Sequence, residues 1–176
     1  NVSLRDSSSS TSKIRFSSIC PSLQSNPVYL YGMSFTPELV AKANAMRKNS
    51  LVELLGMEFI ASPPGTFAAR MPVDARTHQP MGLLHGGATA ALAETVGSMG
   101  SSLLINMKTH GVVGIEVNAN HLKGVRSGYV TCTGTLLHKG RTTHVWDFKV
   151  TNDANELVAV CRLVIMIIAL TKKTEK

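Results

Sequence analysis

Hydrophobic spacing divides the chain into a helical opening, one long helix and a series of strands. From residue 36 the pattern is helical. Thr36 suits an N-cap, Pro37 the first helical position and Glu38 the first turn, and Leu39, Val40, Ala43 and Met46 follow at helical spacing. A second short helical piece is expected around 50–55. Strand signals follow at 58–61 and 67–73, separated by the turn Ser62-Pro63-Pro64-Gly65. After an irregular loop at 74–83, a helix is predicted from Gly87 to about Ile105, with Ala88, Ala91, Leu92, Val96, Met99 and Leu103 along one face. Its many Ala, Gly and Ser residues suit a helix gripped closely on several sides. The remainder reads as four β runs, 112–123, 128–138, 143–151 and 156–170, joined by short turns. Short links imply antiparallel pairing, and strands of ten or more residues should curl. The pattern therefore predicts an α+β fold: one long central helix wrapped by a curled antiparallel β-sheet.

Composition narrows the class. The chain has 176 residues, 44% of them hydrophobic and 16% charged, which excludes a disulfide-stapled mini-protein and a wholly disordered chain. The longest uncharged apolar run, 163–170, is too short to cross a bilayer. Residues 1–32 differ from the rest, being rich in Ser with no apolar period. They read either as an organelle transit peptide or, the preferred reading, as an extension upstream of Met33. The expected domain is then 33–176. Cys20, Cys132 and Cys161 are odd in number and widely separated, with no C-x-x-C pair. Zinc and disulfides are therefore not expected, and a reducing, cytoplasmic setting is.

The net charge of +7 asks for an explanation. No Lys/Arg block exceeds two residues, which speaks against nucleic acid. Lys123, Arg126, Lys139 and Arg141 in predicted turns form a modest basic rim. They are either solvated turn residues or contacts for an anionic small molecule.

Candidate chemistry centres on the long helix. Glu94 lies among Ala, Leu and Gly. It is either an exposed helix acid or a desolvated one, as a general base or carboxylate nucleophile requires. His85-Gly86-Gly87 is either a plain turn into the helix or an oxyanion site, because the first helical N–H groups are unpaired and the helix dipole favours negative charge. Gly87 and Glu94 are about two turns, roughly 10 Å, apart. One carbonyl cannot easily touch both in one subunit, but it can if two subunits supply one each. A serine-hydrolase elbow, a P-loop and a dinucleotide fingerprint are missing, and His85, His110, His121 and His138 lack metal-ligand spacing.

Several ordered motifs carry a resemblance: Met71-Pro72-Val73-Asp74, Thr77-His78-Gln79-Pro80, Gly82-Leu83-Leu84-His85-Gly86-Gly87 and Leu92-Ala93-Glu94. Val112-Val113-Gly114, Asn118-Ala119-Asn120-His121, Leu137-His138 with Gly140, Val145-Trp146 and Cys161-Arg162-Leu163 continue it. The chain resembles the hotdog-fold acyl-CoA thioesterases from about Ser34 to Leu170. Its look-alikes are the bacterial 1,4-dihydroxy-2-naphthoyl-CoA thioesterases of menaquinone biosynthesis and the enterobactin-pathway proofreading thioesterases. The resemblance implies Glu94 as catalytic carboxylate and the Gly86 N–H as oxyanion donor. It implies Gln79 and His85 as orienting groups, and Ser98 as a serine positioning the attacking group or water. It also implies that Gly114, the segment His121, Leu122, Lys123 and Gly124, and the segment His138, Lys139, Gly140, Arg141, Thr142 and Thr143 line the CoA path. Hydrolysis of an aromatic acyl-CoA would then need no cofactor and no metal, with CoA belonging to substrate and product. It would be carried by a homo-oligomer with shared sites, a dimer or a homotetramer. The alternatives are a thioesterase of broad acyl-CoA or acyl-carrier-protein specificity, and a non-catalytic acyl-CoA-binding protein. A hotdog dehydratase is disfavoured, since no matching His/Asp motif aligns. Met81 departs from the aromatic residue of the look-alikes, and the small residues at 97–102 leave the acyl preference open.

Overall fold

The computed structural model describes residues 35–170, so the readings of 1–32 and of Cys20 lie outside the described residues. The elements run α1 (Pro37–Ala45), α2 (Leu51–Leu54), β1 (Glu58–Ile60), β2 (Thr66–Pro72), α3 (Gly86–Leu103), β3 (His110–His121), β4 (Tyr129–Lys139), β5 (Thr143–Asn152) and β6 (Leu157–Ala169). All expected elements are present, with ends displaced by at most two residues. Thr36 caps α1, its Oγ1 accepting the Leu39 N–H at 3.4 Å.

The strands form one antiparallel sheet in the order β1-β2-β4-β5-β6-β3. The expectation from short links holds for β4–β5 and β5–β6 but not for β3–β4, because β3 takes the far edge against β6 while β4 pairs with β2 and β5. Strands β4 and β5 alternate buried and accessible positions almost strictly, so one face turns to the core. Register shifts at Gly114/Glu116, Leu136/His138 and Val150/Thr151 add the bends that let the sheet wrap around α3. A chain of aromatic rings crosses the core: Phe59, Phe35, Phe67, Trp146 and Phe148, with successive centroids 4.9–6.2 Å apart.

The small residues of α3 are explained by this core. A Cβ on Gly97 would lie 2.5 Å from Leu163 Cδ2, and one on Gly100 would lie 2.7 Å from Trp146 Cη2. Ala88, Thr89, Leu92, Ala93, Val96, Gly97, Gly100 and Ser101 are all buried, so the helix is covered over more than the single face its apolar stripe marks. Strand β3 is the exception among the long strands. It stands at the sheet edge, paired only to β6, and leaves Val113, Ile115 and Val117 exposed. No helix among the described residues is long and apolar enough to cross a membrane.

Candidate active site

The start of α3 is built by the loop before it. The Thr77 hydroxyl donates to the Pro72 carbonyl at 2.9 Å, and the Leu84 N–H donates to the Val125 carbonyl at 2.8 Å. The His85 N–H donates to the Thr77 carbonyl at 2.8 Å. Gly82, at φ +72°, supplies the left-handed turn that a side chain would strain. Beside the loop, Arg76 holds the Asp74 carboxyl down to about 2, through hydrogen bonds from its guanidinium and its backbone N–H. His85 then caps the helix, its Nδ1 accepting the Gly87 N–H at 2.8 Å. The Gly86 N–H has no acceptor among the described residues. His121 sits over this point: a Cβ on Gly86 would lie 2.6 Å from its Nε2. Gln79, His121, Leu122, Lys123 and Gly124 line a cavity of about 230 Å³ alongside, so sequence-distant candidates do converge here. The Gln79 side-chain oxygen accepts the Met81 N–H, and Lys123 is paired with Glu156 at 2.5 Å.

A second, larger cavity of about 560 Å³ lies further along the same helix. Ala91, Glu94, Ser98 and Met99 of α3 form one wall, facing Phe59 and Val112. Glu94 is half-buried there. Most hydroxyls around it are committed: Thr95 donates to the Ala91 carbonyl and Ser102 to the Met99 carbonyl, both at 2.7 Å. The Glu94 carboxylate and the Ser98 hydroxyl have no hydrogen-bond partner among the described residues, and they stand one turn apart. Gly114 on β3 makes room for the acid, since a Cβ there would lie 2.6 Å from Glu94 Oε1. Gly86 and Glu94 are eight residues apart on one helix, about 12 Å along its axis. The two groups therefore stand too far apart for one carbonyl to touch both within one chain, as the spacing predicted.

The comparisons with known proteins identify the family. The thioesterase superfamily model matches residues 81–159. A thioesterase of Pseudomonas aeruginosa, solved as a glutamine-to-alanine mutant, is 47% identical with a TM-score of 0.73, covering 74% of this chain and 94% of its own. The proofreading thioesterase EntH of Klebsiella pneumoniae is 45% identical over 132 residues, 74% of this chain and 96% of EntH. A Staphylococcus aureus thioesterase, solved as a glutamate-to-alanine mutant, is 41% identical with a TM-score of 0.66, covering 68% of this chain and 99% of its own. The chain belongs to the thioesterase superfamily. It has the hotdog fold and is an enzyme that hydrolyses thioesters.

In this thioesterase the remaining candidates stand elsewhere. The turn His138, Lys139, Gly140, Arg141, Thr142 and Thr143 lies beside the end of β6, where Thr143 pairs with Met166, whereas His121 pairs with Ala159. Seven strand residues, about 23 Å, separate those positions. Within one chain the turn does not join the His121 cluster. Lys139 and Arg141 are exposed and form no ion pair among the described residues. Next to this turn His144 is almost completely buried, with its Nδ1 3.0 Å from Ser101 Oγ, which also accepts the Trp146 Nε1–H at 2.8 Å. Burial, reinforced by the positive charges of Lys139 and His138, pushes the His144 imidazole down to about 4.

Sequence reasoning passed over the far wall of the large cavity. Met46, Arg47, Ser50, Leu51 and Val52, from the α1–α2 region, complete it. No sequence signal marks this wall: Met46 lies on the apolar stripe of α1, and only the fold leaves Met46 and Leu51 exposed, 72% and 57%, beside the opening.

Proposed function

We propose that this thioesterase hydrolyses an aromatic acyl-CoA, of the 1,4-dihydroxy-2-naphthoyl or benzoyl type, to the free acid and CoA, without metal or cofactor. The observation that carries the reading is the unpartnered Glu94 carboxylate in a largely apolar cavity, on the helix whose first N–H, at Gly86, is also free. A cavity of about 560 Å³ accommodates a flat ring system beside that carboxylate. The Staphylococcus aureus thioesterase was solved as separate glutamine and glutamate mutants, at positions fifteen residues apart. Gln79 and Glu94 have the same spacing.

In the proposed reaction Glu94 either removes a proton from water, which adds to the thioester carbon, or adds to that carbon itself. Both routes place negative charge on the carbonyl oxygen, which the Gly86 N–H of a second subunit stabilises with the helix dipole. The carbon–sulfur bond then breaks, and the CoA thiolate leaves and is protonated. The anhydride formed by direct attack is hydrolysed by water. Ser98 holds the attacking group, His85 holds the helix start in shape, and Gln79 orients the thioester. The CoA portion runs along Gly114, the segment from His121 to Gly124 and, from a neighbouring subunit, the turn from His138 to Thr143. An exposed twelve-residue edge at β3, carrying Val113, Ile115 and Val117, supports a dimer or tetramer. Two buried, unpaired thiols, with that of Cys161 pushed up to about 11 by burial, suit a reducing cytoplasmic setting.

A panel of thioesters with a thiol reagent tests the reading: 1,4-dihydroxy-2-naphthoyl-, benzoyl-, phenylacetyl- and straight-chain acyl-CoA. The highest kcat/KM is expected for an aryl thioester. Equal rates across the panel would favour instead a broad proofreading role, which the likeness to EntH supports.

A further inference from the structure

The large cavity contains one cation that the reaction does not use. Arg47 lines it, and apart from Glu94 it is the only charged residue in the lining among the described residues. Its guanidinium is fixed by the protein itself. Nε donates to the Asn44 carbonyl at 3.2 Å and Nη1 donates to the Met57 carbonyl. Asn44 is in turn tied to β1, donating to the Phe59 carbonyl and accepting the Phe59 N–H, both at 2.9 Å. Nη2 has no partner among the described residues. The arginine thus gives its side-chain entropy to a fixed pose and keeps three free N–H groups, one on Nη1 and two on Nη2, in a largely apolar site.

From this geometry we infer that Arg47 is a specificity residue, selecting acyl groups that carry a single hydrogen-bond-accepting oxygen, a ring hydroxyl or keto oxygen, away from the thioester. The inference rests on the large cavity being the acyl pocket, as in the proposed function. A carboxylate is the poorer match. Arginine grips a carboxylate with two parallel N–H groups, from Nη1 and Nη2 or from Nε and Nη2. Here the Nε–Nη2 pair is closed by the Asn44 carbonyl, and Nη1 already carries the Met57 carbonyl, so Nη2 is the one nitrogen with both N–H groups uncommitted. Nη2 is free to serve an oxygen acceptor in the cavity, and the positive charge of the guanidinium strengthens that bond. Glu94 in the same cavity further disfavours a second full negative charge in the acyl group.

The test uses matched thioesters on the full chain: benzoyl-CoA against its 2-, 3- and 4-hydroxy and 4-carboxy forms, and hexanoyl-CoA against 6-hydroxyhexanoyl-CoA. The wild type is expected to prefer at least one hydroxylated member over its parent by about tenfold or more in kcat/KM, the size of one charge-assisted hydrogen bond. The carboxylated member should show no such gain. In Arg47→Met the preference ratio should fall towards one, and Arg47→Lys should restore part of it. Because a ratio within one variant is read, a loss of folded protein does not imitate the effect, and the melting temperature of each variant is recorded beside it. A wild type without preference, or a preference that persists in Arg47→Met, overturns the inference. If the aryl series is inactive while the aliphatic pair keeps an Arg47-dependent preference, the aromatic reading is lost and the role of Arg47 stands.

Discussion

Ser98 and Ser101 stand three residues apart on α3, yet one faces an open cavity with a free hydroxyl and the other is fully buried and bonded. Ser101 accepts the indole N–H of Trp146 and meets the His144 ring, so Ser101 Oγ, the indole N–H and His144 Nδ1 each have a partner. Such a cluster anchors the helix to β5 and sets its position over the sheet. Glu94 and Ser98 have no such partner and must find one in water or substrate. The same helix therefore has a structural polar cluster and a chemical one. What separates them is whether the sheet beneath supplies a donor. Under Ser101 lie Trp146 and His144; beside Glu94 lies Gly114, with no side chain at all.

The contrast can be broken experimentally. Glu94→Ala should lower kcat on the best thioester by about 10²–10⁴-fold, the usual contribution of a general base, with the fold intact. An undiminished rate would remove the chemical half of the contrast. Gly114→Ala puts a methyl 2.6 Å from Glu94 Oε1 and must displace the carboxylate, so kcat should fall up to about 100-fold, as for a misplaced catalytic group. Full activity there would mean that the acid reacts from more than one position. Ser101→Ala leaves the indole N–H buried without an acceptor and should cost about 1–3 kcal/mol in urea unfolding, with turnover per folded molecule largely retained. A further effect is in pH. An unfolded chain protonates His144 near 6.5 and the folded one near about 4, so the unfolded state takes up the proton first as pH falls. This contribution to stability is complete above 6.5 and is lost progressively down to about 4. Unfolding curves across that range should show it, and His144→Gln should flatten the dependence.

Much of this arrangement is legible in the sequence. Thr36 and Pro37 announce α1, and period-two alternation announces β4 and β5, because capping and pleating are local properties. The crowding of Gly and Ser on α3 announces a tightly held helix, though not that Leu163 and Trp146 do the holding. Glu94 stands out as an isolated acid, and the two-turn spacing from Gly87 already separates the two halves of the site. Arg47 is not legible. A basic residue after a short helix is unremarkable until the chain folds α1 against β1 and its guanidinium is bound by carbonyls three and ten residues away. Nor is the distance between His138–Thr143 and His121, since only the register of β6 reveals that they lie at opposite ends of the sheet.

By itself, then, the sequence determined the elements, the antiparallel pairing of β4, β5 and β6, and the presence of an acid on a glycine-led helix. These depend on spacing along the chain and on residue chemistry. Tertiary structure alone decided which polar groups are satisfied, which glycine faces the acid and which cation enters the cavity. Those outcomes depend on what the far side of the fold presents, and no local pattern carries that information.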